Sequence, residues 1–512
     1  MPLRALSVIL YVPQALFSLI FKLQKSHILA LAAGLSCVFG FAPFGIFPIP
    51  VLALALLFAL WANAATPRTA AWAGFAFGLG LFSAGIGWIY VALHDYGDMP
   101  LLLALPATLL FAAFLALFPA LAGYAQARLA GAQRLRTVLA MPAAWVLIEW
   151  VRGTIFTGFP WLTFGYAHSD SPLAGYAPLF GAYGVSLVAA ISSGLLAMLW
   201  HQRWSRHGGA ALAMLAVLWV GGALLHTVPW TQPQGEPFSV ALVQGNIAQE
   251  IKFNEGALAG TLETHRRLAM QHDAHLTVLP ETALPLLRHQ IPPQLFEQLR
   301  DHARKNGGDM LIGSFERNNG SYYNSVLTLG TADEQHYRKQ HLVPFGEFIP
   351  LRTLLGWLIN GVLNIPMGDL ARGDARQAPL AVAGQRVAAN ICYEDVFGEE
   401  IIRALPQATL LVNFTNDAWY GYSHAAAQHN QISQLRALES GRMMLRATNT
   451  GVTSIIGADG SILQQLPQHQ EGVLQGQAQG YEGITPYVRW GNTAVMALIA
   501  LMLAGAWRTA RR

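Results

Sequence analysis

Phe238-Ser-Val-Ala-Leu-Val-Gln-Gly245 is a β-branched and apolar run closed by glycine, and an amphipathic stretch, 256–272, follows it. A strand handing over to a helix is the punctuation of a layered α/β domain. The alternation continues outward, with strands predicted at 276–279, 309–314, 325–329, 386–391, 409–414, 453–456 and 472–475, and helices at 293–306 and 425–443. Roughly 260 residues with this pattern suit one layered domain rather than two small ones.

The chain around that domain has a different solvent. Of 512 residues, 53% are hydrophobic and only 12% charged, where soluble proteins are roughly a quarter charged. Mean hydropathy is +0.36. Only Asp95, Asp98, Glu149 and Asp170 of the 28 acidic residues precede Pro229. Apolar segments at 28–47, 51–65, 71–92, 101–127, 138–151, 174–200, 210–225 and 493–507 give about eight candidate spans. The expected organisation is a helical membrane domain at 1–226, an external α/β domain at 227–487, and a last span with a basic tail at 488–512.

The stretch 5–21, broken by Pro13 and flanked by Arg4, Lys22 and Lys25, either spans or lies in the interface. No small-residue cleavage site follows it before Lys25, which argues against a cleaved signal peptide. With that stretch interfacial, Lys22/Lys25, Arg68, Arg128/Arg134/Arg136, Arg203/Arg206 and Arg508/Arg511/Arg512 fall on one side, and the opposite short loops carry essentially Arg152 alone. The positive-inside rule then puts both termini in the cytoplasm and 227–487 outside.

Several classes are disfavoured. The net charge of +4 comes without a dense Lys/Arg run, so nucleic acid is not an expected partner. Two cysteines, Cys37 and Cys392, allow no disulfide framework or cysteine-rich metal site. His424 and His429 lie five apart, off the i, i+3 and i, i+4 spacings of a helical metal pair. No metal and no cofactor are expected. Glu149 and Arg152, three apart near a helix end, predict a local ion pair. The segments Gly87-Trp88-Ile89-Tyr90 and Gly158-Phe159-Pro160-Trp161 read either as an interfacial aromatic belt or as a lipid-facing mouth beside the external domain.

Cys392 follows the strand-like Val387-Ala-Ala-Asn-Ile391 and so emerges at a strand end, where a nucleophile is exposed. Free cysteine is commonly an inert core residue, the fate expected of Cys37. What raises Cys392 is a carboxylate ending another strand, in Leu276-Thr-Val-Leu-Pro-Glu281, and a lysine in Tyr337-Arg-Lys339. Thiol acyl chemistry needs a base for the sulfhydryl proton and a cation for the oxyanion, and Glu281 and Lys339 are of those types.

In order and local context these motifs resemble the nitrilase superfamily, whose members carry a Glu-Lys-Cys triad on an α-β-β-α sandwich. With spanning helices on both sides of such a domain, the chain resembles that superfamily's membrane-bound branch, the apolipoprotein N-acyltransferase family. The resemblance runs from about Leu29 to Arg508 and includes Gly87-Trp88-Ile89-Tyr90, Gly158-Phe159-Pro160-Trp161, Val243-Gln244-Gly245, His341-Leu-Val-Pro-Phe-Gly-Glu-Phe348, Asn416-Asp417-Ala418-Trp419 and Asn449-Thr450-Gly451-Val452-Thr453. The stretch before Lys25 departs from it. The resemblance implies Cys392 as nucleophile, Glu281 as general base and Lys339 as oxyanion stabiliser, with Glu347, Tyr393 and Glu394 in support. Glu347 would keep the lysine protonated. Trp419 and Tyr420 form either an aromatic wall for acyl chains or simple loop packing. Arg442 and Arg446 are expected to stabilise a helix C-terminus.

The implied reaction moves an acyl chain from a membrane phospholipid, through a cysteine thioester, to the N-terminal amine of a diacylglyceryl-cysteine apolipoprotein. The partners are then phospholipid, apolipoprotein and membrane lipids, the enzyme is a monomer, and its location is the bacterial inner membrane with the α/β domain periplasmic. The alternatives are a membrane-tethered amidase acting on small amides, and a transporter or sensor with a decayed triad. Scant intramembrane charge and the complete triad argue against the last.

Overall fold

Strict alternation decides what each strand of the α/β domain buries. In the strand Leu410–Thr415, Leu410, Val412 and Phe414 enter one buried cluster while Leu411 enters another on the opposite face. Such a strand must be covered on both sides.

The structure, a computed structural model, describes residues 25–129, 132–202, 206–349 and 370–510. The stretch 5–21 and Lys22, Arg203, Arg511 and Arg512 lie outside the described residues. One 6-stranded sheet has the order β12-β1-β2-β3-β4-β5, with β1 Thr231–Gln244, β2 Leu276–Val278, β3 Asp309–Asn318, β4 Ser321–Gly330, β5 His336–Arg338 and β12 Gly472–Gly483. The other has the order β11-β10-β9-β8-β7-β6, with β6 Leu380–Val382, β7 Gln385–Ile391, β8 Leu410–Thr415, β9 Met444–Thr448, β10 Ser454–Ile456 and β11 Ile462–Gln465. In each sheet a parallel core, β1-β2-β3 or β7-β8-β9, is flanked by antiparallel strands.

The inner faces meet through Val240, Leu242, Val278 and Leu311 from one sheet and Val387, Ile391, Val412 and Leu445 from the other. The helices Glu255–Ala269 and Pro293–Lys305 cover the first sheet outside. The helix Ala425–Ser440 lies on the outer face of the second. The result is an α-β-β-α sandwich.

Each apolar segment of the sequence is largely helical: Lys25–Ser36, Pro48–Ala62, Pro67–Gly85, Leu101–Arg128, Met141–Arg152, Ala177–Gln202, Arg206–His226 and Thr493–Ala510. By length and composition, 3 described stretches, Leu101–Arg128, Pro172–Trp200 and Arg206–His226, are long and apolar enough to cross a membrane; Lys25–Gly40, Pro48–Ala62 and Thr493–Arg508 are shorter apolar helices. Small residues let these helices approach. A Cβ on Gly34 would sit 1.9 Å from the Phe77 carbonyl oxygen of the neighbouring helix.

The Ala425–Ser440 helix is where the two halves meet, and 15 of its 16 residues are buried. Gln428 accepts from the indole N–H groups of Trp88 (3.2 Å) and Trp161 (2.8 Å) and donates to the Gly85 carbonyl (3.1 Å). Gln431 accepts from the Ala42 N–H, and Glu439 from that of Ala182. Trp88 and Trp161 are 8% and 2% exposed, so the two aromatic segments are docking surface and not an open belt.

Leu410 is fully buried between the sheets, so Leu410→Ala is expected to cost about 2–5 kcal/mol of stability. Thermal unfolding in detergent checks this against Leu463→Ala on the exposed β11, which is expected to shift stability by less than about 0.5 kcal/mol.

Candidate active site

Parallel strands deliver their C-terminal ends to one edge of the sandwich, the usual location of sites in α/β sheets. Glu281 follows β2, Lys339 follows β5, Cys392 follows β7 and Asn416 follows β8. The sequence-predicted Glu281, Lys339 and Glu347 are in direct contact, buried to 6%, 1% and 4% exposure. Lys339 Nζ lies 2.9 Å from Glu347 Oε1 and 3.5 Å from Glu281 Oε1. Asn324 Nδ2 donates to Glu281 Oε1 (2.7 Å), and the Asn416 N–H donates to Glu281 Oε2 (2.9 Å). Glu347 Oε2 accepts from the Val343 N–H (2.8 Å), so the exposed Pro-Phe-Gly turn closes on itself and carries the Glu347 carboxylate inward.

Burial opposes the charge on Lys339, but Glu347 and Glu281 together outweigh it and hold the ammonium well above the usual lysine range. Burial pushes the Cys392 thiol well up, Glu281 adds to the rise, and Lys339 works against it. Cys392 therefore rests as a thiol within the electrostatic reach of a carboxylate and an ammonium.

Cys392 opens the tight turn Cys392–Val396 with φ +54°. Left-handed backbone at a residue with a Cβ costs about 1–3 kcal/mol and needs surroundings that hold it. Glu394 supplies part of that hold. Its Oε1 accepts from the N–H groups of Gln340 (2.6 Å) and His341 (3.0 Å), and its Oε2 from the Ile391 N–H (2.6 Å) and the Tyr337 hydroxyl (2.9 Å). The lysine loop is thereby tied to the cysteine turn. Burial raises the Glu394 carboxyl to about 7, its donors pulling the other way. Tyr393 points elsewhere, donating its hydroxyl to the Gly158 carbonyl (3.0 Å) of the membrane half.

Trp419 and Tyr420 diverge. The Tyr420 ring lies 4.6 Å from that of Trp88, and its hydroxyl is pushed well up by burial and then by Cys392. Trp419 faces Tyr96 at 6.3 Å. Cys37 is buried in the helical bundle.

The sequence reading missed Lys252, weighed His429 only as half of a rejected metal pair, and misplaced Arg446. Lys252, 1% exposed, donates to the Glu281 carbonyl oxygen (3.0 Å), and burial lowers it to about 8. A lysine in the polar stretch Gln249–Lys252 carries no sequence signal of burial. His429 bridges Asp417 (Nδ1, 2.9 Å) and Asp395 (Nε2, 2.8 Å). Burial and Arg446 oppose its charge, the two carboxylates outweigh them, and its pKa is raised. Arg446 does not end a helix: the helix stops at Ser440 with Gly441 in the left-handed conformation, and Arg446 lies on β9, paired with Asp395 and Asp417. Arg442 does donate to the carbonyl of the capping Gly441 (3.2 Å), and also to those of Ala408 and Gly483. Glu149 and Arg152 do act on each other's charge, as expected, while their hydrogen bonds go to other groups. Glu149 accepts from the Phe164 N–H, at the turn that follows, and Arg152 donates to the carbonyls of Phe159 and Trp161 and so braces the Gly158–Trp161 loop. Among the described residues, no group of three or more His, Cys, Asp or Glu side chains is arranged to hold a metal ion.

Comparison with known proteins follows the same division of the chain. A family described as Apolipoprotein N-acyltransferase N-terminal domain matches residues 33–195, and the Carbon-nitrogen hydrolase family matches residues 239–483. Apolipoprotein N-acyltransferase of Nitrosomonas europaea is 51% identical over 483 residues, covering 93% of this chain and 96% of its own. The protein of the same name from Ralstonia nicotianae is 46% identical over 501 residues, covering 96% and 95%. A solved CN-hydrolase superfamily protein from Xanthomonas campestris is 17% identical and covers 52% of this chain and 97% of its own at a TM-score of 0.35.

The electrostatics set the expected reactivity of Cys392. Iodoacetamide alkylation should keep rising well above the ordinary thiol pKa of about 8.5. Glu281→Gln is expected to move the pH profile down and Lys339→Met to move it up, because the carboxylate raises the thiol and the ammonium lowers it. Mass spectrometry of the Cys392 peptide across pH reads both shifts; coincident profiles would refute the electrostatic account.

Proposed function

The chain belongs to the apolipoprotein N-acyltransferase family, and we propose that it transfers an acyl chain from a membrane phospholipid, through a thioester on Cys392, to the α-amino group of the N-terminal diacylglyceryl-cysteine of apolipoproteins. This is the last step of bacterial lipoprotein maturation. The observation that carries the reading is the buried Glu281–Lys339–Glu347 cluster standing within electrostatic reach of the strained Cys392.

In the first half-reaction Glu281 takes the Cys392 proton as sulfur attacks the ester carbonyl. The Lys339 ammonium faces the oxyanion, and Glu281 returns the proton to the departing alkoxide, releasing lysophospholipid. In the second, the acceptor amine attacks the thioester, its proton passes to Glu281, the C–S bond breaks and the thiolate is reprotonated. A thiol held well above neutral pH makes the base necessary, a contribution of about 10²–10⁴ in rate. A preorganised cation at the oxyanion is worth about 10²–10³. Glu347 keeps that cation oriented, Tyr393 and Glu394 fix the turn, and Tyr420 and Trp419 border the acyl path.

The same reading assigns 1–226 and 488–512 to the membrane with about eight spans, 227–487 to the periplasmic face of the inner membrane, and both termini to the cytoplasm, the enzyme acting as a monomer. Gly158 and Trp88 of the membrane half touch Tyr393, next to Cys392, and Tyr420 respectively, and Trp161 bonds Gln428 on the docking helix. That contact favours a lipid substrate over a small amide for which the helices would be a mere tether.

Intact mass spectrometry after incubation with a defined diacyl phospholipid tests the donor step. The expected result is a hydroxylamine-labile, acyl-sized adduct that is lost in Cys392→Ser, kept in Cys37→Ser and absent in Glu281→Gln despite retained lipid binding. A folded, lipid-bound wild-type protein with no adduct would overturn the reading.

A further inference from the structure

We propose that His429 is a positioning residue for Cys392, its ring clamped between Asp395 and Asp417 so that Nε2–H reaches the Cys392 carbonyl and holds the turn that presents the thiol. The inference rests on the reading of Cys392 as nucleophile.

Cys392 has φ +54°, a conformation that a residue with a Cβ leaves unless neighbours hold it. Its carbonyl oxygen accepts from two buried side chains, Asn413 Nδ2 at 3.3 Å and His429 Nε2 at 3.2 Å. The orientation of the imidazole is fixed from both sides, by Asp417 Oδ1 at 2.9 Å from Nδ1 and by Asp395 Oδ1 at 2.8 Å from Nε2. A neutral imidazole has one N–H and would set its other nitrogen's lone pair against a carboxylate. Both nitrogens therefore donate, and the single Nε2–H is shared between Asp395 Oδ1 at 2.8 Å and the Cys392 carbonyl at 3.2 Å, the carbonyl taking the longer arm of a three-centre bond.

Arg446 completes the frame. Its Nη1 lies 3.3 Å from Asp395 Oδ2 and its Nη2 3.0 Å from Asp417 Oδ2, so two cations meet two carboxylates out of water. Nη1 also donates to Asn413 Oδ1 at 2.7 Å, which orients the second donor to the same carbonyl. Ser433 closes the other side of Asp395. Asp395 belongs to the cysteine turn itself, Asp417 to the turn after β8, and His429 to the docking helix, one residue from Gln428. The Trp161 ring of the membrane half packs 5.3 Å from the imidazole. The element that seats the membrane half thus also sets the backbone of the thiol.

The test compares two charge-balanced double variants, each removing one cation and one anion. His429→Leu with Asp395→Asn deletes the donor, whereas His429→Gln with Asp395→Asn keeps a side-chain N–H at that place. Acylation by a defined diacyl phospholipid is followed by intact mass spectrometry over a range of lipid concentrations, with thermal unfolding to verify folding. The leucine pair is expected to lower kcat for acylation by about ten-fold or more with KM for lipid unchanged. Exchanging that leucine for glutamine is expected to recover most of the loss. Equal rates in the two folded doubles would overturn the proposal. If the leucine pair does not fold, the glutamine pair alone decides: a folded protein with the full ten-fold loss overturns it, and recovered activity supports it. Iodoacetamide alkylation of Cys392 without lipid separates the two readings. Wild type that alkylates at Cys392 but never acylates fails the acyl-donor reading, and the clamp is then judged on the alkylation rates of the doubles.

Discussion

A lysine ammonium with 1% of its surface exposed is held firmly charged where carboxylates stand against it, and Lys339 has Glu347 and Glu281. Moving such an ion out of water costs several kcal/mol even after relaxation, so the pairing has to be built by the fold. β5 delivers the lysine, β2 the first carboxylate, and a turn folding back on itself the second. Each carboxylate is then saturated by backbone and amide donors, from Asn416, Asn324 and Val343. The charged site is therefore a property of the whole sheet edge, and one missing donor would leave an ion unbalanced.

The second dependence runs through the seam between the halves. Gln428 satisfies two indole N–H groups with one oxygen and returns its own N–H to a helix carbonyl, while Tyr393 bonds the Gly158 loop from beside Cys392. Buried polar contacts of this kind fix one arrangement, because any other leaves them unpaired. Under the proposed function, a site walled on one side by such helices would bring membrane-anchored groups to the thiol at high effective concentration and exclude water.

Much of this was legible in the residues. The run through Val240 and Leu242 announced β1, and the apolar stretch ending at Ile391 put Cys392 at a strand end, as observed. Glu281 and Lys339 were found by residue type and context. β5, β6, β9 and β11 were not seen: β5 and β6 have only three residues, too few to show an alternation, Ile462–Gln465 is exposed throughout, and β9 begins directly after the stretch read as helix. β12 was read as 472–475 and runs to Gly483, its later part rich in Gln and Gly. Buried charge was the largest gap. Arg446 read as a helix-end cation because periodicity cannot report that Gly441 turns the chain and that β9 begins at Met444. His429 and Lys252 stand among polar neighbours, and only the packed structure shows that water does not reach them.

The two buried lysines show why residue type alone does not assign a role. Lys252 and Lys339 are each 1% exposed, and burial lowers both. They part in what they face. Lys252 donates to the carbonyl oxygen of Glu281 and forms no direct ion pair, so burial outweighs the pull of the Glu281 charge and it comes down to about 8; Lys339 meets two carboxylates directly and goes up. A group that must meet a developing negative charge serves best if it is cationic before the reaction begins, since no proton then has to arrive from solvent. Lys339 satisfies that condition across the neutral range. Lys252 is within about a pH unit of losing its charge at pH 7. The partner, not the lysine, decides which of the two stands as a fixed positive end of the site.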